Sequence, residues 1–527
     1  MCEENVNTTI HWHGLSQRLA PFSDGTPQAS MWPIPPCHYF DFEVFPLKKE
    51  AGTYFYHSHV GFQAVSAAGP LIIEDEGGVS PYEYDEERLV FLSDYYNHTD
   101  HHIEQGLLAQ PFVWSNETNA ILINGVGVAQ EEQHRSGEEG CPLPVIEVEP
   151  GKTYRFRFVG SLAISMVELG IDEHHNFTII EADGSYTKPH SEEHMQLTSG
   201  QRFDTIFTAK TEAQLNGKRD YYIKLETNER PKKYIGYGVL RYSGGQPEIT
   251  KNPESAPFNF TGHSYDWAEY ALEPLHDNDF PTADEVTRRI ELDNRQVSTA
   301  SIVWRVNGLE WNETTNPQPG DVPYLVDIYQ RGQAAMPDYD AAIANGGWDP
   351  TTFTFPAKLG EVIEIIWYNT GSLVKDNGGQ DFHPFHAHGA HYYDIGSGNG
   401  TYDPVENEKK LANYKPVLRD TTNLYRWTEK TVAGQRVGWR AWRLRVTDAG
   451  VWMIHCHILQ HMIMGMQTAW IMGDLDEILR VPLHDARAYL DFGGGAFGNA
   501  TYAPMVNHFF DGASGEEWEE KVEAEEV

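Results

Sequence analysis

Basic residues are scarce in this chain: 39 Lys and Arg stand against 77 Asp and Glu, a formal charge of −38 at pH 7. Gripping phosphates needs clustered Lys and Arg, so nucleic acid is excluded as a partner. The acidity suits an extracellular protein in mildly acidic surroundings, and solubility alone would also account for it. No run of about 20 apolar residues is present, so no membrane-spanning helix is expected. The opening Met1-Cys2-Glu3-Glu4 is acidic and lacks the apolar core of a secretory signal. Cysteine is rare too, at Cys2, Cys37, Cys141 and Cys456, and the last of these stands in the most informative stretch of the chain.

That stretch is His455-Cys456-His457-Ile458-Leu459-Gln460-His461, followed by Met466. One thiolate, two imidazoles and a weak thioether ligand make a blue-copper electron-transfer site. Branched and aromatic residues after Gly450 favour a strand up to the motif. Successive side chains on a strand point to opposite faces, so His455 and His457 share one face and Cys456 takes the other. Cys456 can therefore serve one metal while its neighbours serve a different centre. The plainer reading, a buried cysteine between two hydrogen-bonded histidines, leaves three further clusters unexplained: His11-Trp12-His13, His57-Ser58-His59 and His383-Pro384-Phe385-His386-Ala387-His388. Each holds a His-x-His pair. Eight paired imidazoles suffice for about three metal ions at two or three ligands each. His383 is left to complete the Cys456 site.

Internal similarity points to duplicated domains. Ala51 to His59 and Ala449 to His457 both read Ala-Gly-x-aromatic-x-x-His-x-His, with Ser58 in the place of Cys456. A segment at a comparable place between them, Arg219 to Leu225, has no histidine and reads as a structural unit without metal. Two histidine clusters come from each end of the chain, so the outer units must pack together around a shared centre. The length of 527 residues suggests about three to four domains. Frequent Gly (47) and Pro (30) between short branched or aromatic runs favour all-β sandwiches. The expected units are 1–80, 81–250, a linker at 251–285, 286–490, and a mobile, solvated tail at 491–527.

The motifs HWHG, HSH, HPFHAHG and HCHILQHMIMGM stand in the order of the multicopper oxidases, a family that includes laccases, ascorbate oxidases and ferroxidases. The resemblance runs from about residue 5 to about residue 490 and is nearest to fungal ascorbate-oxidase-like and laccase-like enzymes. LSDYYNHTDHHIEQG (92–106), ILINGVG (121–127) and VWRVNG (303–308) resemble ascorbate oxidases in particular. The resemblance implies three cupredoxin-like Greek-key β-sandwich domains, the first lacking its opening strands in this chain, and four copper ions. It implies that Cys456, His383 and His461 bind the type 1 copper with Met466 axial, and that His11 and His386 bind the type 2 copper. It gives His13, His57 and His457 to one type 3 copper, and His59, His388 and His455 to the other. An axial methionine implies a lower potential than in laccases with Leu or Phe there, hence easily oxidised reductants. The implied reaction takes electrons one at a time from a small organic reductant at His461. Cys456 passes them to the cluster, where dioxygen is reduced to water.

Asp24 resembles the family's Asp-Gly acid beside the type 2 copper and is the candidate proton relay; an Asx-turn before Gly25 is the plainer reading. Members with a second acid in the loop after His-Cys-His have it where this chain has Leu459 and Gln460. Trp114 and Trp304 match positions that frame the reductant in ascorbate oxidases, and two sandwich-core tryptophans are the plainer reading. His98, His101 and His102 read as a surface loop, and His174 and His175 as structural or pocket-lining. Cys141 resembles a family cysteine that pairs near the start of the first domain; Cys2–Cys141 and Cys37–Cys141 both stay open. Eight Asn-x-Ser/Thr sequons, at Asn7, Asn97, Asn116, Asn176, Asn259, Asn312, Asn399 and Asn499, fit a secreted glycoprotein. Two rivals remain. A ferroxidase would need acids beside His383 or His461, where Asp381 stands without a visible second. An electron carrier would need only Cys456, His383, His461 and Met466, and a copper store would use mobile Met- or Cys-rich tracts.

Overall fold

The structure is a computed structural model that describes residues 6–129, 142–261, 265, 267–298, 300–313, 322–372, 380–428, 432–480 and 486–505, the Lys48 side chain excepted. It is mostly β, as the alternation of short branched runs and turns requires. Strands drawn from residues 86–242 form one sheet of six and one of five, and strands from 288–472 repeat the arrangement. The repetition extends to strand direction. Glu86–Tyr95 runs parallel to Thr153–Ser161, as Arg288–Ser298 does to Val362–Thr370. Val145–Val148 and Thr354–Ala357 are the parallel edge strands of the two five-stranded sheets.

The first unit contributes a three-stranded sheet, with Gly52–His57 between His11–His13 and Ala68–Ile73. Three short strands bury too little apolar surface to stand alone. Their core is completed by the last unit: Phe22, Ala29, Met31 and Ile34 pack in one cluster with Val451, Met453, Ala469 and Ile471. That shared core fixes the outer units against each other.

Two expectations change. The segment after 491 is not a free tail over its described part. Phe497–Asn499 pairs with His38–Phe40, and Ala496 and Phe497 are buried beside Phe40. An apolar pair set among glycines finds a sheet edge to cover. Residues 506–527 lie outside the described residues. The 251–285 connection also packs: Trp267 and Leu272 enter the core of the middle unit. Cys37 is disulfide-bonded; Cys141, its candidate partner, and Cys2 lie outside the described residues. No helix among the described residues is long and apolar enough to cross a membrane.

Candidate metal centre

Strand Gly450–Cys456 carries the centre of the site, and every residue in it is buried. Trp452, Ile454 and Cys456 face the core of the last sandwich, while Val451 and Met453 face the first unit. Strand alternation thus sends Cys456 to one side of the sheet and His455 and His457 to the other. The neighbouring strand His383–Ala387 is in register with it, Phe385 opposite Cys456 and His386 opposite His455.

On the Cys456 side, His383 starts that strand and His461 lies in the short helix Leu459–Ile463. Cys456 Sγ is 3.7 Å from Nδ1 of each histidine, and the two Nδ1 atoms are 3.1 Å apart. Met466 closes the loop through its backbone: Cys456 N–H donates to Met466 O at 3.1 Å and Met466 N–H to His461 O at 3.0 Å. Gly465 makes this turn at φ +110°, where a Cβ would stand 2.8 Å from the Trp304 carbonyl. Burial pushes the Cys456 thiol well above its ordinary range. A thiolate here therefore calls for a cation beside it.

On the other side, eight rings converge from both ends of the chain. His11–His13 pairs with Gly52–His57, with His11 opposite His57. The inward ring nitrogens fall into three groups. His11 Nε2 and His386 Nε2 are 3.4 Å apart. His13 Nδ1, His57 Nε2 and His457 Nε2 lie 3.2 to 3.4 Å from one another. His59 Nε2 and His388 Nε2 lie 3.3 and 3.1 Å from His455 Nε2.

The outward nitrogens settle what the inward ones are. Backbone carbonyls of Asp24, Ser58, Asp420 and Cys456 face Nδ1 of His11, His57, His386 and His455 at 2.7, 2.8, 3.0 and 3.0 Å. Carboxylates of Asp24 and Glu313 face Nδ1 of His388 and His59, at 3.0 and 3.2 Å. Asp420 faces Nε2 of His13 at 3.2 Å. Ser199 Oγ, which donates its own proton to Leu162 O, accepts from His457 Nδ1 at 2.7 Å. Carbonyls and carboxylates only accept, so each outward nitrogen carries the proton and each inward one presents a lone pair. Burial holds His13, His57, His386, His388, His455 and His457 below the ordinary imidazole range, hence neutral. Eight inward lone pairs at such spacing repel unless cations sit among them. Neutral imidazoles with anchored outer nitrogens are the donor set copper takes.

Three residues of this site lack a sequence signal. Asp420 is fully buried, paired with Arg202 at 2.6 and 2.7 Å and bonded to His13. Although burial opposes ionisation, Arg202 and His13 hold its carboxyl well below the usual range. Glu313 comes from a loop and Ser199 from the middle unit. Asp24, turned inward by Gly25 at φ +77°, accepts from Thr26 Oγ1 at 2.5 Å and meets His388. Burial opposes its ionisation as well, but His388 and His11 keep its carboxyl well below the usual range.

A cavity of about 920 Å³ opens over His461. Trp114 and Trp304 both line it. The Trp304 ring is 2% exposed and lies 4.8 Å from each of the His383 and His461 rings, so it is at once core and wall. Gln460 bonds Tyr96 and Ser115 at 2.9 and 3.2 Å. His174 is buried in the middle unit against Tyr242, and His98 stacks on His102 outside both centres.

Multicopper oxidase family models match residues 3–78, 86–245 and 319–475. A laccase-like multicopper oxidase of Thermothelomyces thermophilus is 47% identical, covering 96% of this chain and 85% of that one. An L-ascorbate oxidase of Cucumis sativus is 31% identical over 88% of this chain and 80% of its own length. Among solved structures, Fet3p, described as a multicopper oxidase that functions in iron import, superposes with TM-score 0.70 at 21% identity, over 96% of this chain and 88% of that one. Donor chemistry, fold and sequence agree: the chain belongs to the multicopper oxidase family, copper-dependent oxidoreductases of the laccase and ascorbate-oxidase type with one type 1, one type 2 and two type 3 copper ions.

Proposed function

We propose that the protein oxidises small organic reductants, phenols, hydroquinones or ascorbate-like enediols, and reduces dioxygen to water. The observation that carries this reading is the cavity over His461, walled by Trp114 and Trp304. Flat aromatic walls favour a planar reductant. The His461 edge at the cavity floor is where its electrons enter.

In this reading Cys456, His383 and His461 would hold the type 1 ion, with Met466 closing the same loop. His11 and His386 hold the type 2 ion. His13, His57 and His457 hold one type 3 ion, and His59, His388 and His455 the other. When bound, the ions supply one-electron redox capacity and a place for dioxygen to react. The chain supplies the connection: the Cys456 main chain runs directly into His455 and His457 on the far face of the sheet. In this reading Asp24, a carboxylate that accepts from Thr26 and from the outer nitrogen of His388, would take up a proton and pass it on beside the eight rings. Export as a glycoprotein belongs to the same proposal. Asn97, Asn116, Asn176, Asn259 and Asn399 are exposed, whereas Asn312 is buried and closed to a glycan.

The test is a reductant panel read by dioxygen uptake, on protein whose copper content has been measured. Saturable uptake with a hydroquinone or ascorbate is expected. Fully loaded protein that consumes no dioxygen with any of them would end the proposal.

A further inference from the structure

The rim of the His461 cavity carries two acids and one cation in direct contact. Asp381 Oδ2 lies 3.6 Å from His461 Nε2. Arg230 donates from Nη1 to that same oxygen at 2.5 Å, and from Nε and Nη2 to both Glu117 oxygens at 2.7 and 3.0 Å. Side-chain exposures are 3% for Arg230, 13% for Glu117 and 18% for Asp381. All three line the cavity. Glu117 is the second acid that the sequence does not reveal: it stands in the middle unit, far along the chain from His461.

Two carboxylates beside an electron-entry histidine are oxygen ligands of the kind a hard divalent cation takes. Here one guanidinium already occupies three of their four oxygens. A planar, permanently charged fork does this far better than an ammonium could. We infer that Arg230 sets the substrate class of the cavity. By bridging Glu117 and Asp381 it closes the site to ferrous iron and leaves it to small organic reductants. The inference rests on the reductant cavity proposed above. With Arg230 gone, ferrous iron would bind between the two carboxylates. Each ferrous ion would give one electron through His461 and leave as ferric ion, with dioxygen, the acceptor of the proposed reaction, taking four electrons and four protons to form two waters.

The experiment compares copper-loaded wild type, Arg230→Met and Arg230→Lys with iron(II) and with a hydroquinone, at mildly acidic pH and with blanks subtracted. Manganese(II) serves as a redox-inert competitor. Arg230→Met is expected to lower KM for iron(II) by about tenfold or more, a gain of the size one added charged ligand gives. It is also expected to make manganese(II) a competitive inhibitor of hydroquinone oxidation, which it is not in the wild type. Adding Glu117→Gln should cancel both effects. Should the Met variant fail to fold, Arg230→Lys carries the test, because an ammonium neutralises one carboxylate and frees the other; its iron selectivity must rise in the same direction. Hydroquinone oxidation with unchanged iron selectivity and no manganese inhibition in the folded variants overturns the role of Arg230 alone. Wild-type protein that oxidises neither reductant overturns the cavity reading beneath it.

Discussion

The middle and last units share one frame and use it differently. In each five-stranded sheet the third strand, Asp220–Asn228 or Gly450–Cys456, has the same neighbours in the same directions. Both turn alternate residues into their own sandwich: Tyr221, Ile223 and Leu225 in one, Trp452, Ile454 and Cys456 in the other. The outer faces diverge. In the last unit it carries His455 and His457 and is covered by the first unit. In the middle unit it carries Lys224, whose ammonium bonds Phe258 O at 3.2 Å and sits over the Phe258 and Phe260 rings of the following connection. A β-sandwich thus becomes half of a metal centre when a second unit, rather than a strap of its own chain, closes its outer face.

Four substitutions probe that difference, from largest effect to smallest. Cys456→Ser, on the inner face, is expected to reduce dioxygen uptake with every reductant to background while the eight outer histidines stay in place; near-normal turnover would break the two-sided account of the strand. Asp420→Ala strips Arg202 of its bidentate partner between the units, leaving it Asp183 at 3.5 Å, and is expected to cost about 3 kcal/mol, the lower end of the usual penalty for breaking a buried ion pair, read by denaturant unfolding. The middle unit should respond to pH. Its His174 is pushed down to about 4 by burial, against an ordinary 6.5. Protons therefore bind the unfolded chain first as pH falls. This contribution is complete above pH 6.5 and is lost on descending to about 4, about 3 kcal/mol in all. His174→Gln should flatten the pH dependence of unfolding over that window by the same amount; an unaltered slope would remove His174 from the account. Trp114→Ala, a partly buried cavity wall from the middle unit, is expected to raise KM for a hydroquinone about three- to tenfold, as loss of one aromatic contact does, leaving the blue colour intact.

The His-x-His pairs are readable because a strand's period of two makes spacing report facing, and because Cys456 interrupts one pair with a different ligand type. What anchors those rings is not readable. Asp420, Glu313 and Ser199 are single polar residues brought up from other strands and loops, and no local pattern distinguishes them from surface residues. The same holds for Glu117 and Arg230, which meet Asp381 across a unit boundary. Trp304 eluded a choice between core and cavity because it serves both. Phe258 and Phe260 lie in a segment whose Pro and Asn content reads as connection, yet they cover a sheet face. Ala496 and Phe497, after three glycines, read as tail and are packed.

Half of the eight rings are made within the first 60 residues of the chain and half only after residue 385. No complete cradle for the inner ions exists until the last unit has been synthesised, folded and docked on the first. Loading is therefore a late step of maturation. A nascent chain that has released only its first two units offers scattered imidazoles, and the bound ions, once in place, would act as rivets across the seam between an earlier and a later part of the chain.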